Sequence, residues 1–186
     1  MSAEIQITTL SKELPLAEFR RRFVDIPRFR AACEACPAYS GTWACPPFDA
    51  DPEAIWSGYE SILLYAKKVV IPAEAREKTY SKAELRDLWD SMLKPVKRDL
   101  ITELLALERE IPGSLALSAG GCDICESCTR PQGIPCRAPE LKRYSVEAIG
   151  GDAIGAVEEL LGESILWAGE GRLPEHFILL GALLKG

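Results

Sequence analysis

Cysteine is the residue type in this chain best placed to do chemistry, and its seven copies are not scattered. Cys122, Cys125 and Cys128 follow one another at i, i+3 steps, and Cys136 stands further along the same stretch. Thiolates bind soft and borderline metals. A single zinc ion gathers four of them around one point, which paired C-x2-C knuckles do well. A cubane iron–sulfur cluster offers a separate iron at each ligated corner, so its thiolates must spread around a larger object. A loop wrapping such an object presents one cysteine every third residue. The triplet therefore points to iron–sulfur chemistry ahead of zinc. The gap from Cys128 to Cys136 is longer than the last interval of the bacterial ferredoxin run.

A second group stands upstream: Cys33 and Cys36 as C-x2-C, then Cys45 within Trp43-Ala44-Cys45-Pro46-Pro47. Core cysteines behave as small hydrophobes, and such residues do not collect in Gly- and Pro-rich loops. Seven thiolates divide most simply as four and three. Cys122, Cys125, Cys128 and Cys136 would close one 4Fe-4S cluster. Cys33, Cys36 and Cys45 would hold a second, with one iron left for a non-cysteine ligand, water or a substrate. Ferredoxins exchange the fourth cysteine between clusters, and Cys45 precedes a proline as that cysteine does. The spacing leaves both pairings of Cys45 and Cys136 open. His176, the lone histidine, is a candidate for the missing ligand, although an ordinary hydrogen bond at the start of a strand is the more common use.

Thiolate-bound clusters carry negative charge and need donors around them. Backbone N–H groups of the loops can supply these, and Gly120, Gly121 and Gly133 would let the backbone approach closely. Arg130 and Arg137 could offset the charge or simply sit at the surface. Trp43 and Tyr39 could shield a cluster from solvent. Arg20, Arg21, Arg22, Arg28 and Arg30 form a basic run before Cys33. It reads as a solvated helix end, or as a docking patch for an acidic electron carrier.

The bulk properties bound the rest. The chain has 186 residues, 47% hydrophobic and 27% charged, a globular balance sufficient for one domain spanning 1–186. A net charge of −6 argues against general nucleic-acid binding, which needs a basic footprint. No apolar run reaches transmembrane length, and Met1-Ser2-Ala3-Glu4 lacks the start of a signal peptide. The expectation is a cytoplasmic protein without a membrane partner, in a compartment where thiols stay reduced. An odd cysteine count fits metal ligation better than a disulfide framework.

The elements that must position these loops follow from periodicity. Residues 4–8 alternate and predict a short strand; residues 16–23 predict a short helix. The first cysteine loop spans 33–51. Ile62 to Ile71 is apolar and β-branched, a buried strand. Ser81 and Glu84 form a capping box. Leu85, Leu88, Trp89, Met92, Val96, Leu100, Leu104 and Leu107 continue at helical spacing, with Pro95 expected to kink or divide the helix. Residues 114–118 form a strand running into the second cysteine loop. Ser145 is expected to cap a helix reaching Leu161, stopped by Gly162. Residues 165–167 and 176–183 are expected as the last strands. The order predicts an α/β fold, with α+β as its near neighbour: one mixed sheet with helices packed on it and a crossover over 62–117.

Cys33-x2-Cys36, Tyr39, Trp43-x-Cys45-Pro46-Pro47, Cys122-x2-Cys125-x2-Cys128, Pro135-Cys136-Arg137-x-Pro139 and Ser145-x-Glu147-Ala148 with a following Gly-Asp pair together resemble a family of small cysteine-rich proteins. These are the predicted metal-binding proteins, a domain of unknown function common in anaerobes. The resemblance covers the chain from about Cys33 onward. It implies metal binding and no particular reaction. The family pattern Gly-Ile-Asp-Val is replaced here by Gly150-Gly151-Asp152-Ala153.

Three functions fit these residues. One is an electron-transfer protein with one or two iron–sulfur clusters and a redox protein as partner. Another is an enzyme whose three-cysteine cluster keeps an open iron as a Lewis acid for substrate. The third is a zinc module that staples the fold or presents an interaction surface. No P-loop is present, and a single histidine is poor material for a catalytic triad.

Overall fold

A computed structural model describes residues 5–186. Four strands form one sheet in the order β1-β2-β4-β3, with β1 at Gln6–Pro15, β2 at Ser61–Val70, β3 at Leu115–Leu117 and β4 at His176–Lys185. Every neighbouring pair is antiparallel. β2 and β3 therefore run the same way on either side of β4, and the helices of 73–110 carry the chain across it.

The central strand shows how the sequence makes two cores. Successive side chains of a strand point to opposite faces. Ile178, Leu180, Ala182 and Leu184 of β4 face one core, while Phe177, Leu179 and Leu183 face the other. The first core is completed by helix α1 (Leu16–Phe23) through Phe19 and Phe23, by Trp56 of α3 (Pro52–Ser57), and by Ala153 and Ala156 of α7 (Ala153–Ala156). The second is completed by Leu93, Val96, Leu100 and Leu104, contributed by α6 (Lys94–Glu110) and the turn before it. A Cβ on Gly181 would stand 2.5 Å from Leu104 Cδ1, so glycine is what lets α6 lie close to the sheet. The result is the expected α/β layering, a sheet with helices on both faces. Each fully buried leucine or isoleucine contributes about 2 kcal/mol of transfer free energy.

Several expected elements hold and others move. Helix α1 coincides with residues 16–23. The capping box forms: Ser81 Oγ accepts from Glu84 N, and the Glu84 carboxylate accepts from Ser81 N, opening α5 (Lys82–Leu88). Pro95 does divide the helix. A π turn over Trp89–Leu93 precedes it and α6 restarts at Lys94, because proline has no N–H to continue the ladder.

The first strand is longer than the alternation suggested, and Glu4, like Met1, Ser2 and Ala3, lies outside the described residues. β1 is an edge strand with one mostly solvated face and Lys12 and Glu13 along it, so few apolar positions marked its length. Three further elements were not anticipated: α2 (Ile26–Glu34), capped by Asp25, the short α3, and α4 (Ala73–Arg76).

Two expectations are corrected. Ser145 does not cap a long helix. Its Oγ accepts from Ala148 N at 3.2 Å within a turn, and Asp152 caps the short α7, followed by a π turn to Leu161 and the left-handed Gly162. Residues 165–167 are irregular, with Trp167 72% exposed. β4, the strand next in the chain, is already flanked on both sides by β2 and β3.

Candidate metal centre

The second cysteine segment leaves the end of β3 and returns at residue 144. Ser118 closes its neck. Its N–H donates to Tyr144 O at 2.8 Å, its hydroxyl to Arg143 O at 3.2 Å, and it bridges Ser145 in parallel. Within the loop the buried Thr129 hydroxyl donates to Pro135 O at 2.9 Å, and Ile134 N donates to Thr129 O at 3.2 Å. Gly133 turns the chain at φ +68°, in the left-handed region. These bonds bring Cys136 back beside the triplet. Cys122, Cys125, Cys128 and Cys136 line one small cavity, with Thr129 and Arg137 on its wall. Burial pushes the Cys122 thiol pKa up, the Ile124 N–H pulls it down, and the Asp123 charge raises it further.

The first cysteine segment is assembled from more distant pieces. Cys33 sits in the last turn of α2, with its Sγ 3.9 Å from Glu147 O. Cys36 N donates to Cys33 O at 3.0 Å, and Cys36 Sγ accepts from Ala38 N at 3.4 Å. Thr42 Oγ1 donates to Cys45 Sγ at 3.3 Å. Burial pushes the Cys33 thiol pKa up first, and the Glu147 carboxyl, Cys36 and Cys45 then raise it in that order. The Cys36 and Cys45 sulfurs therefore lie within electrostatic reach of Cys33.

The turn holding Glu147 also anchors α2. Asp25 N donates to Gly150 O at 2.9 Å and Asp152 N to Phe23 O at 2.6 Å. Gly150 has φ +93°, and a Cβ there would stand 2.6 Å from Ile26 Cα. The Gly150-Gly151 pair is thus where the start of α2 meets the turn. Trp56 Nε1 donates to Ile149 O at 2.7 Å beneath it.

The two segments interlock. The Arg130 guanidinium donates to the carbonyls of Thr42, Cys45 and Pro47. It lies 5.2 Å from the centroid of the Trp43 ring, and Trp43 Nε1 donates to Ile134 O at 3.0 Å. A Cβ on Gly121 would stand 3.7 Å from Cys45 Sγ, so Cys45 faces the start of the second segment. Arg130 is thus a clamp between loops. Trp43 packs in the same joint, and Tyr39 lines a cleft with Arg30, Pro47 and Phe48 on the outer side of the first segment.

Two contributors were missed in the sequence. Lys97, on α6, is buried, with Nζ donating to Gly121 O at 2.5 Å and paired with Asp123 at 2.6 Å. Its helical phase marked it as a neighbour of the core stripe, but a lysine there reads as solvated. Glu147 was named only as part of a motif. Its Oε2 is fully buried without a hydrogen-bond partner, although the residue as a whole is partly exposed. His176 lies elsewhere in its bonding. Its Nε2 is 2.9 Å from Ser164 O and 3.9 Å from Glu163. In the basic run, Arg20 pairs with Glu53, and Arg22 with Glu18 and Glu159.

All seven thiols are free. Among the described residues, no three His, Cys, Asp or Glu side chains converge as the ligands of a single ion. The four thiols of the second segment line one cavity, and N–H or O–H donors reach Cys36 and Cys45. The donor set fits a thiolate-bound metal group. No helix among the described residues is long and apolar enough to cross a membrane.

Fold and site define a cysteine-rich α/β protein with two interlocked thiol-bearing segments. The family model described as Predicted metal-binding protein (DUF2284) matches residues 22–184, and the chain belongs to that family. No curated protein and no solved structure matches it.

Proposed function

We propose that this protein is an iron–sulfur electron carrier of a reducing, cytoplasmic compartment, passing electrons to or from a redox protein partner. Cys122, Cys125, Cys128 and Cys136 would hold one 4Fe-4S centre, and Cys33, Cys36 and Cys45 a second. The observation that carries this reading is that the first four thiols, the triplet at i, i+3 steps and Cys136, line one cavity. A loop wrapped around a many-cornered cluster presents its thiolates in this way. When bound, such clusters supply one-electron chemistry over a wide range of potentials, set by hydrogen bonds to sulfur, charge and exposure.

The residues of the chain act on those variables. Thr42 and Ala38 N donate to Cys45 and Cys36 and would draw charge from their sulfurs. Lys97 stands one residue from Cys122 through Gly121 O and places a buried positive charge against the second segment. Arg130 fixes the separation of the two segments, which sets the distance an electron must cover between them. The protein isolated without oxygen is expected to be brown, with iron and acid-labile sulfide in equal amounts. Colourless protein carrying stoichiometric zinc from the cell would overturn the reading. Zinc acquired in air would not, because vacant thiolate sites take it up readily.

A further inference from the structure

Helix α2 carries Ile26, Arg30 and Glu34 at i, i+4 and i+8, so the three stand in one row along it. That row lines a cleft of about 180 Å³. Tyr39, Pro46, Pro47 and Phe48 of the first cysteine segment line it as well, together with the turn at Gly150. An electron carrier has no use for such a cleft.

Its walls are fixed from behind. Tyr39 N donates to Cys36 O at 2.9 Å, and Ser40 N to Pro46 O at 3.0 Å. The Arg130 guanidinium donates to Pro47 O, and the Phe48 ring packs on Tyr144 with centroids 4.4 Å apart. Asp25 N donates to Gly150 O at 2.9 Å, which ties the start of α2 to the turn. A cleft built in advance loses little binding energy to ordering.

The polar groups of the cleft are few, and they are unengaged. Arg20 and Arg22 of α1 are each paired with a glutamate. Arg30 and Glu34 stand one turn apart, yet they form no ion pair with each other or with any other described residue. Among the described residues the Tyr39 hydroxyl has no hydrogen-bond partner either. A guanidinium and a carboxylate at one apolar cleft complement a molecule that carries both an anionic and a cationic group. A simple anion would meet Glu34, and a simple cation would meet Arg30. The rest of the lining suits a compact apolar body. An apolar cavity of about 150 Å³ holds benzene, so a single ring or a short branched chain fills this one.

We propose that this cleft binds a small zwitterion with one compact apolar group, the chemistry of an amino acid with an aromatic or branched side chain. Arg30 takes the carboxylate, Glu34 takes the ammonium, and the apolar group lies among Ile26, Pro47 and Phe48. The site shares a wall with the first cysteine segment, but the inference does not depend on which metal the cysteines hold.

Isothermal titration calorimetry on the full chain isolated without oxygen tests this with four probes. They are L-phenylalanine, phenylpropionate (no ammonium), phenethylamine (no carboxylate) and glycine (no apolar group). L-phenylalanine should bind saturably in the millimolar range. Phenylpropionate and phenethylamine should each bind about fivefold more weakly, and glycine should not bind. Arg30→Met should erase the advantage of L-phenylalanine over phenethylamine, and Glu34→Gln its advantage over phenylpropionate. Both positions are exposed, so the fold should persist, checked by melting. Arg21→Met, in the same basic run but outside this cleft, should change nothing. Absence of saturable L-phenylalanine binding, equal binding of the three phenyl probes, or an advantage that survives in either variant would overturn the proposal. Tighter binding of phenylpropionate than of L-phenylalanine would also overturn it, in favour of an organic acid.

Discussion

The two cysteine segments do one kind of work by different constructions. The second is a loop closed at its neck by Ser118, and its four cysteines come from one stretch of chain. The first draws on the end of α2, a following loop and a turn 114 positions away at Glu147. The second contains no regular element beyond a short 3-10 turn at Arg130–Gln132, so apart from its own hydrogen bonds and a metal it is held only by side-chain contacts, from Lys97 to Gly121 and Asp123, from Trp43 to Ile134, and from Arg130 to the first segment. The first is backed by α2, by the Gly150 turn and by Trp56. A site built from one loop depends on its metal for structure. A site assembled on a packed frame depends on the frame.

The largest expected effect breaks the loop-built site. Cys122→Ser combined with Cys128→Ser should abolish metal in the second segment and lower stability by more than about 4 kcal/mol, because metal binding there doubles as folding free energy. Cys33→Ser should lose metal from the first segment with a much smaller fall in melting temperature. Equal falls in the two variants, measured by thermal unfolding alongside metal analysis, would remove the contrast.

A smaller effect tests the joint. Arg130→Ala removes three carbonyl partners at once and should cost about 3 kcal/mol. Arg130→Lys should recover less than half of that, since an ammonium cannot fork to Thr42, Cys45 and Pro47 together. Protease cleavage within residues 40–47 should rise in both variants. Unchanged denaturant midpoints would mean that the segments do not rely on one another.

The smallest concerns acid. Burial raises the Glu108 carboxyl pKa, but hydrogen bonds from Arg143 and Ala116 N overcome this and hold it below the ordinary carboxylate value of 4.5. Arg143 stands at the return of the second loop, its Nε 2.8 Å from Glu108 Oε2. A folded-state pKa below the unfolded one contributes stability that is present above the unfolded value and lost as pH falls through the folded one. Stability should therefore decline below pH 4.5. Glu108→Gln should be less stable near neutrality by about 1 kcal/mol and show a flatter acid limb. An unchanged acid limb in melting experiments would remove Glu108 from the neck of that loop.

Much of this was legible in the residue order because it is local. A cysteine every third residue, a Ser81–Glu84 capping box and a proline inside a helical stripe each act within a few positions. The alternation of β4 determined both cores, since side chains of a strand divide between two faces whatever the neighbours are. The tertiary structure alone decided that Cys33 lies in the last turn of a helix, that Ser145 closes a turn, and that residues 165–167 stay outside the sheet. It also decided that Arg130 spans two loops, that Lys97 is buried against Gly121, and that Glu147 Oε2 is buried without a hydrogen-bond partner. Charged residues carry no periodic signal of their own. Whether one is solvated, clamped or left without a partner in the interior depends on which distant backbone folds over it, and only the packed chain fixes that.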